Sequence, residues 1–349
     1  MTISEEDRPL SLDNLDTLVA RLSADAPIQV VEAHEEQLKR VLGAAFERGV
    51  TPDEGRRIAT FQRDAGLIMK YKPYAVKAST PLGFSIFLQE PRQGFSFQKH
   101  SVRKVEAFHV LEANEGGFVF LCSYADWQRV YDPKRFERWL DGTPDDAFDR
   151  FQIVPSVGDV YLITDRDTVH TVIGCQIEEY ASVSVDVVQR LHDQNRGTPI
   201  PDKFKRGFTL ERIGALRQPA QHRSVETNGH ISPVKQEEIS TGVRRAVLVD
   251  CPELQATVWR LEPGTRTAAM TVHADRAVQL YVSAGRMSVV VGDEREVKTN
   301  SAAPITVEAT GTTMVAPGLS FVISNDGPKP LTVSMHSVAW RPAIKTLDA

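Results

Sequence analysis

The stretch FQKHSVRKVEAFHVLEANEGG, residues 97–117, decides how the rest of the chain is read. Aromatic and β-branched residues alternate through it with polar ones, and Asn-Glu-Gly-Gly closes it with a turn signal, so it reads as strand. Alternate residues of a strand share a face. Gln98 and His100 therefore point one way, and Lys104 and Glu106 repeat that spacing six residues on. Any one of them alone has an ordinary account: a hydrogen-bonded histidine or a solvated charge. Together they form a row of metal-binding and charged groups on one face of an apolar segment, which is how the lumen of a β-barrel is lined.

Working outward, the texture of this stretch continues. After Lys72-Pro73 come short alternating runs, GFSIFLQE (83–90), GFVFLCSY (117–124) and GDVYLIT (158–164), punctuated by Gly, Pro, Asn and Asp. Residues 132–151, DPKRFERWLDGTPDDAFDRF, have helical spacing around an Asp-Gly-Thr-Pro break and read as a helical insertion of two short helices. A polar stretch over 212–240 reads as a linker, and a second strand-rich block begins at 241. Ahead of all this, residues 11–72 read as helices. Leu15, Leu18, Val19 and Leu22 share a face, as do Leu38, Val41, Leu42 and Ala45, and Thr51-Pro52-Asp53-Glu54 is a helix start. The expected fold is mainly β: two cupin-type (double-stranded β-helix, jelly-roll) barrels with an N-terminal helical extension. The expected organisation is an extension over 1–75, a metal-binding barrel over 76–211 and a second, metal-free barrel over 241–349.

Composition narrows the partners. With 349 residues the chain can bury a large core, and 41% hydrophobic with 25% charged residues is ordinary for a globular protein. A net charge of -5 argues against a nucleic-acid surface. Cys122, Cys175 and Cys251 are too few and too scattered for a disulfide framework or a cysteine metal cluster, which fits a reducing compartment. The N-terminal segment is acidic without an apolar run, and no stretch reaches membrane-spanning length. The expectation is a cytoplasmic protein acting on a small polar molecule, with no nucleic-acid or membrane partner and a homodimer left open.

A further histidine, His170, follows the Gly158-Asp159 strand and its turn, where one more inward-facing ligand would close a site. Mixed nitrogen and carboxylate ligands with solvent positions left open suit one divalent metal ion, Zn, Mn, Fe, Co or Ni. His109 falls on the opposite strand face from His100 and is set aside.

These motifs resemble the type I mannose-6-phosphate isomerases, zinc-dependent bicupin enzymes, over residues 85 to about 340. Gln98-Lys99-His100 and Lys104-Val105-Glu106 match the family's Gln-x-His and Lys-x-Glu, and Gly158-Asp159 through Val169-His170 matches its Gly-Asp strand and following histidine. EEYASVSVDVVQRLHDQNR places Asp186, Arg190, Asp193 and Arg196 in step with a third element. The resemblance implies that Gln98, His100, Glu106 and His170 bind the metal, that Zn is the ion expected first, and that Lys104 and Arg190 contact substrate. Glu179, on the strand leading to Arg190, is the candidate base, although a longer strand leaves open whether Glu179 or Tyr180 faces the pocket. Thr164-Asp165-Arg166 departs from the family's Pro-x-Gly turn, and its Trp motif has no counterpart here.

The second barrel lacks the constellation. His273, Asp275 and Gln279 are followed by no carboxylate, Phe321 stands where a ligand histidine would be, and His336 reads as a strand residue. The expected activity is a metal-dependent aldose-ketose isomerase-like reaction on a sugar phosphate or related hydroxy-carbonyl metabolite. A cupin non-haem iron oxygenase and a non-catalytic sugar- or metabolite-binding bicupin are the alternatives.

Overall fold

Capping chemistry sets the first elements. The computed structural model describes residues 11, 12, 15, 28–72, 75–182, 187–193, 223–225 and 231–340. Helix α1 spans Ile28–Arg48 and α2 spans Pro52–Ala65, with Thr51 and Glu54 closing a capping box at its start. The sequence carried helix to residue 72. Gly66, at φ +64°, instead ends α2, and Ile68–Lys72 forms strand β1. Leu18, Val19 and Leu22 lie outside the described residues. Among the described residues no helix is long and apolar enough to cross a membrane.

The chain divides into two compact units. Described residues within Tyr71–Lys77 and Ser85–Val234 make the first, and those within Met1–Lys70, Ala78–Phe84 and Lys235–Ala343 make the second. The helices read as an N-terminal extension fall in one unit with the C-terminal strands. The reason is their apolar face: Leu38, Leu42, Phe46, Ile58 and Phe61 share one core with Val278, Leu280, Met314 and Phe321. The stretch read as a linker is also not structureless, because 223–225, 231–233 and 235–240 are strands.

In the first unit the strands are β2 (Ala75–Ser79), β3 (Phe84–Leu88), β4 (Phe97–His100), β5 (Glu106–Ser123), β6 (Gln152–Ile153), β7 (Asp159–Ile163), β8 (Thr168–Ala181), β9 (Val188–His192), β10 (Arg223–Val225) and β11 (Ile231–Pro233). They pair in the order β2-β3-β8-β5-β7-β10-β11, while β4 joins β8 to β9 and β6 joins β5. Between β5 and β6 lie three short helices, α3 (Tyr124–Val130), α4 (Pro133–Leu140) and α5 (Asp146–Asp149). This insertion starts eight residues before the expected 132, because the Ser123 side chain accepts from Asp126 N at 3.0 Å and caps α3. Its Trp127, Phe136, Trp139 and Phe148 cover the outward residues Phe97, Phe118 and Phe120 of the barrel wall.

The second unit is built alike. Strands β12 (Lys235–Ser240), β13 (Val243–Asp250), β14 (Leu254–Leu261), β15 (Met270–Thr271), β16 (Arg276–Ala284), β17 (Arg286–Gly292), β18 (Ile305–Glu308), β19 (Thr312–Val315), β20 (Ser320–Ser324) and β21 (Leu331–Ala339) form two sheets, β12-β13-β14-β21-β16-β19 and β15-β20-β17-β18. Helix α6 (Glu294–Thr299) precedes β18. Both units are curled antiparallel barrels of the double-stranded-helix kind, apart from the parallel pairing of β10 with β7.

One irregularity positions the site. On β8, His170 and Val172 face inward, and so do Cys175, Ile177 and Glu179; Val169 and Ile173 pack outward. Strict alternation would send residues 170 and 179 to opposite faces. The register shifts where Phe118 and Ala113 of β5 meet Ile173 and Cys175, with Gly174 at φ +68° between them. Gly174 also lies against Gly117, whose Cα would stand 3.1 Å from an added Cβ.

Gly174→Ala should therefore cost about 1–2 kcal/mol for the left-handed backbone and more for that contact. Gly116→Ala, at φ +73° with nothing within 4 Å, should cost the backbone penalty alone. Urea unfolding of the two variants checks this, and equal losses would remove the close-approach argument.

Candidate metal centre

Strand β4 brings three side chains to the inner face at alternate positions: Ser96 just ahead of it, then Gln98 and His100. Gln98 is the register partner of His170 on β8, and Glu106 opens β5 beside them. His100 and His170 are fully buried, Glu106 is 2% exposed, and Gln98, Lys104 and Glu179 are buried as well. His100 Nε2 lies 3.2 Å and His170 Nε2 3.3 Å from the same oxygen, Glu106 Oε2. Lys104 forms an ion pair with Glu106 Oε1 and reaches Glu179 Oε1 at 3.4 Å.

The electrostatics follow from burial and these contacts. Burial pushes the His100 imidazolium toward its neutral form, against the pull of Glu106. Burial alone would raise the Glu106 carboxyl, but the Lys104 ammonium above all holds it well below the usual range. Burial would likewise lower the Lys104 ammonium, and Glu106 and Glu179 together raise it instead. Glu179 is different: burial, then the neighbouring Glu106 charge, push it up to about 7, with Lys77 and Lys104 opposing. One carboxylate is thus held charged, and the other sits near neutrality.

The group fits a divalent cation. One ligand atom each from His100, Glu106 and His170 lies within 4.8 Å of the others. Donors bound about 2.0–2.2 Å from a shared ion stand about 3.0–3.5 Å apart, which the two histidine-to-carboxylate separations match. His170 Nδ1 donates to Thr168 O at 3.0 Å, which fixes the tautomer and leaves Nε2 with its lone pair facing the Glu106 oxygen. Two electron donors so placed are stabilised by a shared cation. Neutral imidazole and anionic carboxylate are also the forms a metal requires.

The other expected residues fall as follows. Glu179, not Tyr180, is on the inner face, since Tyr180 bonds Glu178 at 2.8 Å on the outer one. His109 is also outward, 3.0 Å from Glu178. Arg190 pairs with Gln98 across β9 and β4 but is exposed, as is Asp193, while Asp186 and Arg196 lie outside the described residues. In the second unit His273 and Asp275 bond each other on the surface. There the Gln279 amide donates to Thr313 O at 2.7 Å, Phe321 is buried in the core, and His336 is buried on β21.

Two residues of the site escaped the sequence reading. Ser96 precedes Gln98 by the strand period and could have been read from it. Lys77 could not: it sits two strands away on β2, over the Phe87 ring at 4.9 Å, and only pairing brings its charge within reach of Glu179.

No family model matches the chain, and no curated protein matches it in sequence. Solved structures do resemble it. Bacillus subtilis oxalate decarboxylase, whose centres are described as Mn(II), is 13% identical with a TM-score of 0.47, covering 78% of this chain and 74% of that one. Mannose 6-phosphate isomerase from Bacillus subtilis is 14% identical with a TM-score of 0.45 over 72% of this chain and 74% of that chain. Salicylate 1,2-dioxygenase from Pseudoaminobacter salicylatoxidans is 15% identical with a TM-score of 0.42 over 77% and 70%. At such scores these likenesses carry no argument about chemistry, so the reaction has to be argued from the site's own residues.

Proposed function

We propose that the first barrel is the active site of a metal-dependent isomerase that moves a proton between adjacent carbons of a hydroxy-carbonyl metabolite such as a sugar phosphate. The observation that carries this reading is the sharing of Lys104 by two buried carboxylates, one inside the histidine group and one outside it. His100, Glu106 and His170, with Gln98 as the fourth, would hold the ion. A divalent ion there supplies Lewis acidity to a carbonyl and so acidifies the neighbouring carbon.

The chain's own residues do the rest. Glu179 Oε, outside the histidine group, takes the proton from that carbon, and the electron pair of the broken C–H bond shifts toward the carbonyl oxygen to give an enediolate. The same carboxyl then returns the proton to the former carbonyl carbon, while the hydroxyl proton of the first carbon passes to the former carbonyl oxygen and leaves a carbonyl behind. Lys104 stands beside Glu179 and offers fixed positive charge where oxygen becomes negative. Arg190, exposed on β9 next to Gln98, is placed for an outer anionic group of the substrate.

The first expected outcome is about one divalent ion per chain in protein purified without chelator, lost in Glu106→Ala and in His100→Ala while circular dichroism shows both folded. Full metal occupancy in a folded Glu106→Ala protein would remove Glu106 as a ligand. Iron accompanied by oxygen consumption would move the reading to an oxygenase.

The second concerns proton exchange in heavy water with aldose and ketose substrates. The base form of Glu179 is the deprotonated one, and its carboxyl is raised to about 7. Exchange should therefore rise with pH through the titration of Glu179 and level off above it, with a midpoint below about 7 in the metal-loaded protein, because a cation on Glu106 offsets the charge that raises Glu179. Glu179→Gln should lower exchange by about 10²- to 10⁴-fold. A pH-independent rate, or an unaffected Glu179→Gln protein, sinks this assignment.

A further inference from the structure

Gln98 is the member of the group whose two ends differ in kind. Only its amide oxygen has a lone pair to give a metal; its nitrogen can only donate hydrogens. In the structure Oε1 accepts from Ser96 Oγ at 3.0 Å, and Nε2 lies 3.4 Å from His170 Nε2. His170 Nδ1 donates in turn to Thr168 O. Ser96, Gln98, His170 and Thr168 thus form one chain in which every donor meets an acceptor. Ser96 is 4% exposed and Gln98 9%, so solvent is a poor substitute for any link.

Turning the amide over exchanges its ends. The oxygen then points toward the histidine and carboxylate donors, and the amide N–H groups point at Ser96. A hydroxyl suits both arrangements, because it donates to the oxygen in one and accepts from the nitrogen in the other. Alanine can do neither.

We infer that Ser96 is a positioning residue for metal binding, holding the Gln98 amide by its far end so that the oxygen can serve as a ligand. This rests on the reading of His100, Glu106 and His170 as a metal site. Among the described residues no hydrogen bond joins Ser96 to the histidines or to the carboxylate, so its effect should pass through Gln98 alone.

The test uses the full chain with Co(II) as the probe, titrated against a competing chelator, and the visible absorption of the bound ion as a readout of its ligands. Ser96→Ala should weaken Co(II) about 10- to 100-fold, the usual consequence of losing a group that orients a ligand. Its spectrum should move to that of Gln98→Ala. Ser96→Thr keeps the hydroxyl and should retain the wild-type affinity and spectrum. If Ser96→Ala keeps the wild-type affinity, or loses affinity with an unchanged spectrum, the positioning role is overturned while the metal site stands. A wild-type protein that takes up no Co(II), Zn(II) or Mn(II) overturns the metal reading, and this inference with it.

Discussion

A carboxylate that is 2% exposed cannot remain charged in a barrel interior by itself, and the first unit is organised around making that tolerable for Glu106. Lys104 neutralises one oxygen, and two histidines approach the other. Lys104 is two residues away along the chain, but the histidines are brought to Glu106 by other strands. His100 comes from β4 and His170 from β8, two strands whose ladder register is set where Gln98 pairs with His170. Removing one member of such a set leaves an uncompensated buried charge, which costs far more than a surface ion pair contributes. The arrangement therefore constrains the register of three strands at once.

That dependence explains what the sequence could and could not tell. Gln98 and His100 were legible because one uninterrupted strand period on β4 separates them, and Lys104 and Glu106 because the same spacing recurs into the start of β5, although residues 101–105 belong to no strand. The choice between Glu179 and Tyr180 was not legible. It depends on a register shift at Gly174, and counting alternate positions from His170 gives the wrong face. Tertiary pairing likewise decided the fate of the N-terminal helices. Their apolar faces were plain in the sequence, but an apolar face does not name its partner. Polar composition hid strands in the stretch read as a linker for a related reason: an edge strand such as β12, KQEEIS, takes its stability from pairing with β13 rather than from burying its own side chains.

The two barrels show how little of a site belongs to the fold. In the second unit the inward residues are Val278, Leu280, Val282, Met314 and Phe321, an interior that burial of apolar surface stabilises without any charge. In the first unit part of that apolar filling is replaced by histidines, carboxylates and a lysine. Such a replacement gives up hydrophobic stabilisation and must balance every buried charge.

Within the first barrel, the division of labour between Glu106 and Glu179 follows from distance to cations rather than from residue type. Both are buried and both touch Lys104. Glu106 has the closer contact with Lys104, so its anion is favoured in spite of burial. Glu179 has burial and the Glu106 charge working against its anion, and only lysines working for it. Two identical side chains are thereby held in different protonation regimes, one fit to hold a cation and the other to exchange a proton. A site that only bound a ligand would have no need of this second carboxyl at the edge of neutrality. Its position beside the first, on a strand whose bulge is needed to bring it there, is the feature that favours proton transfer over simple binding.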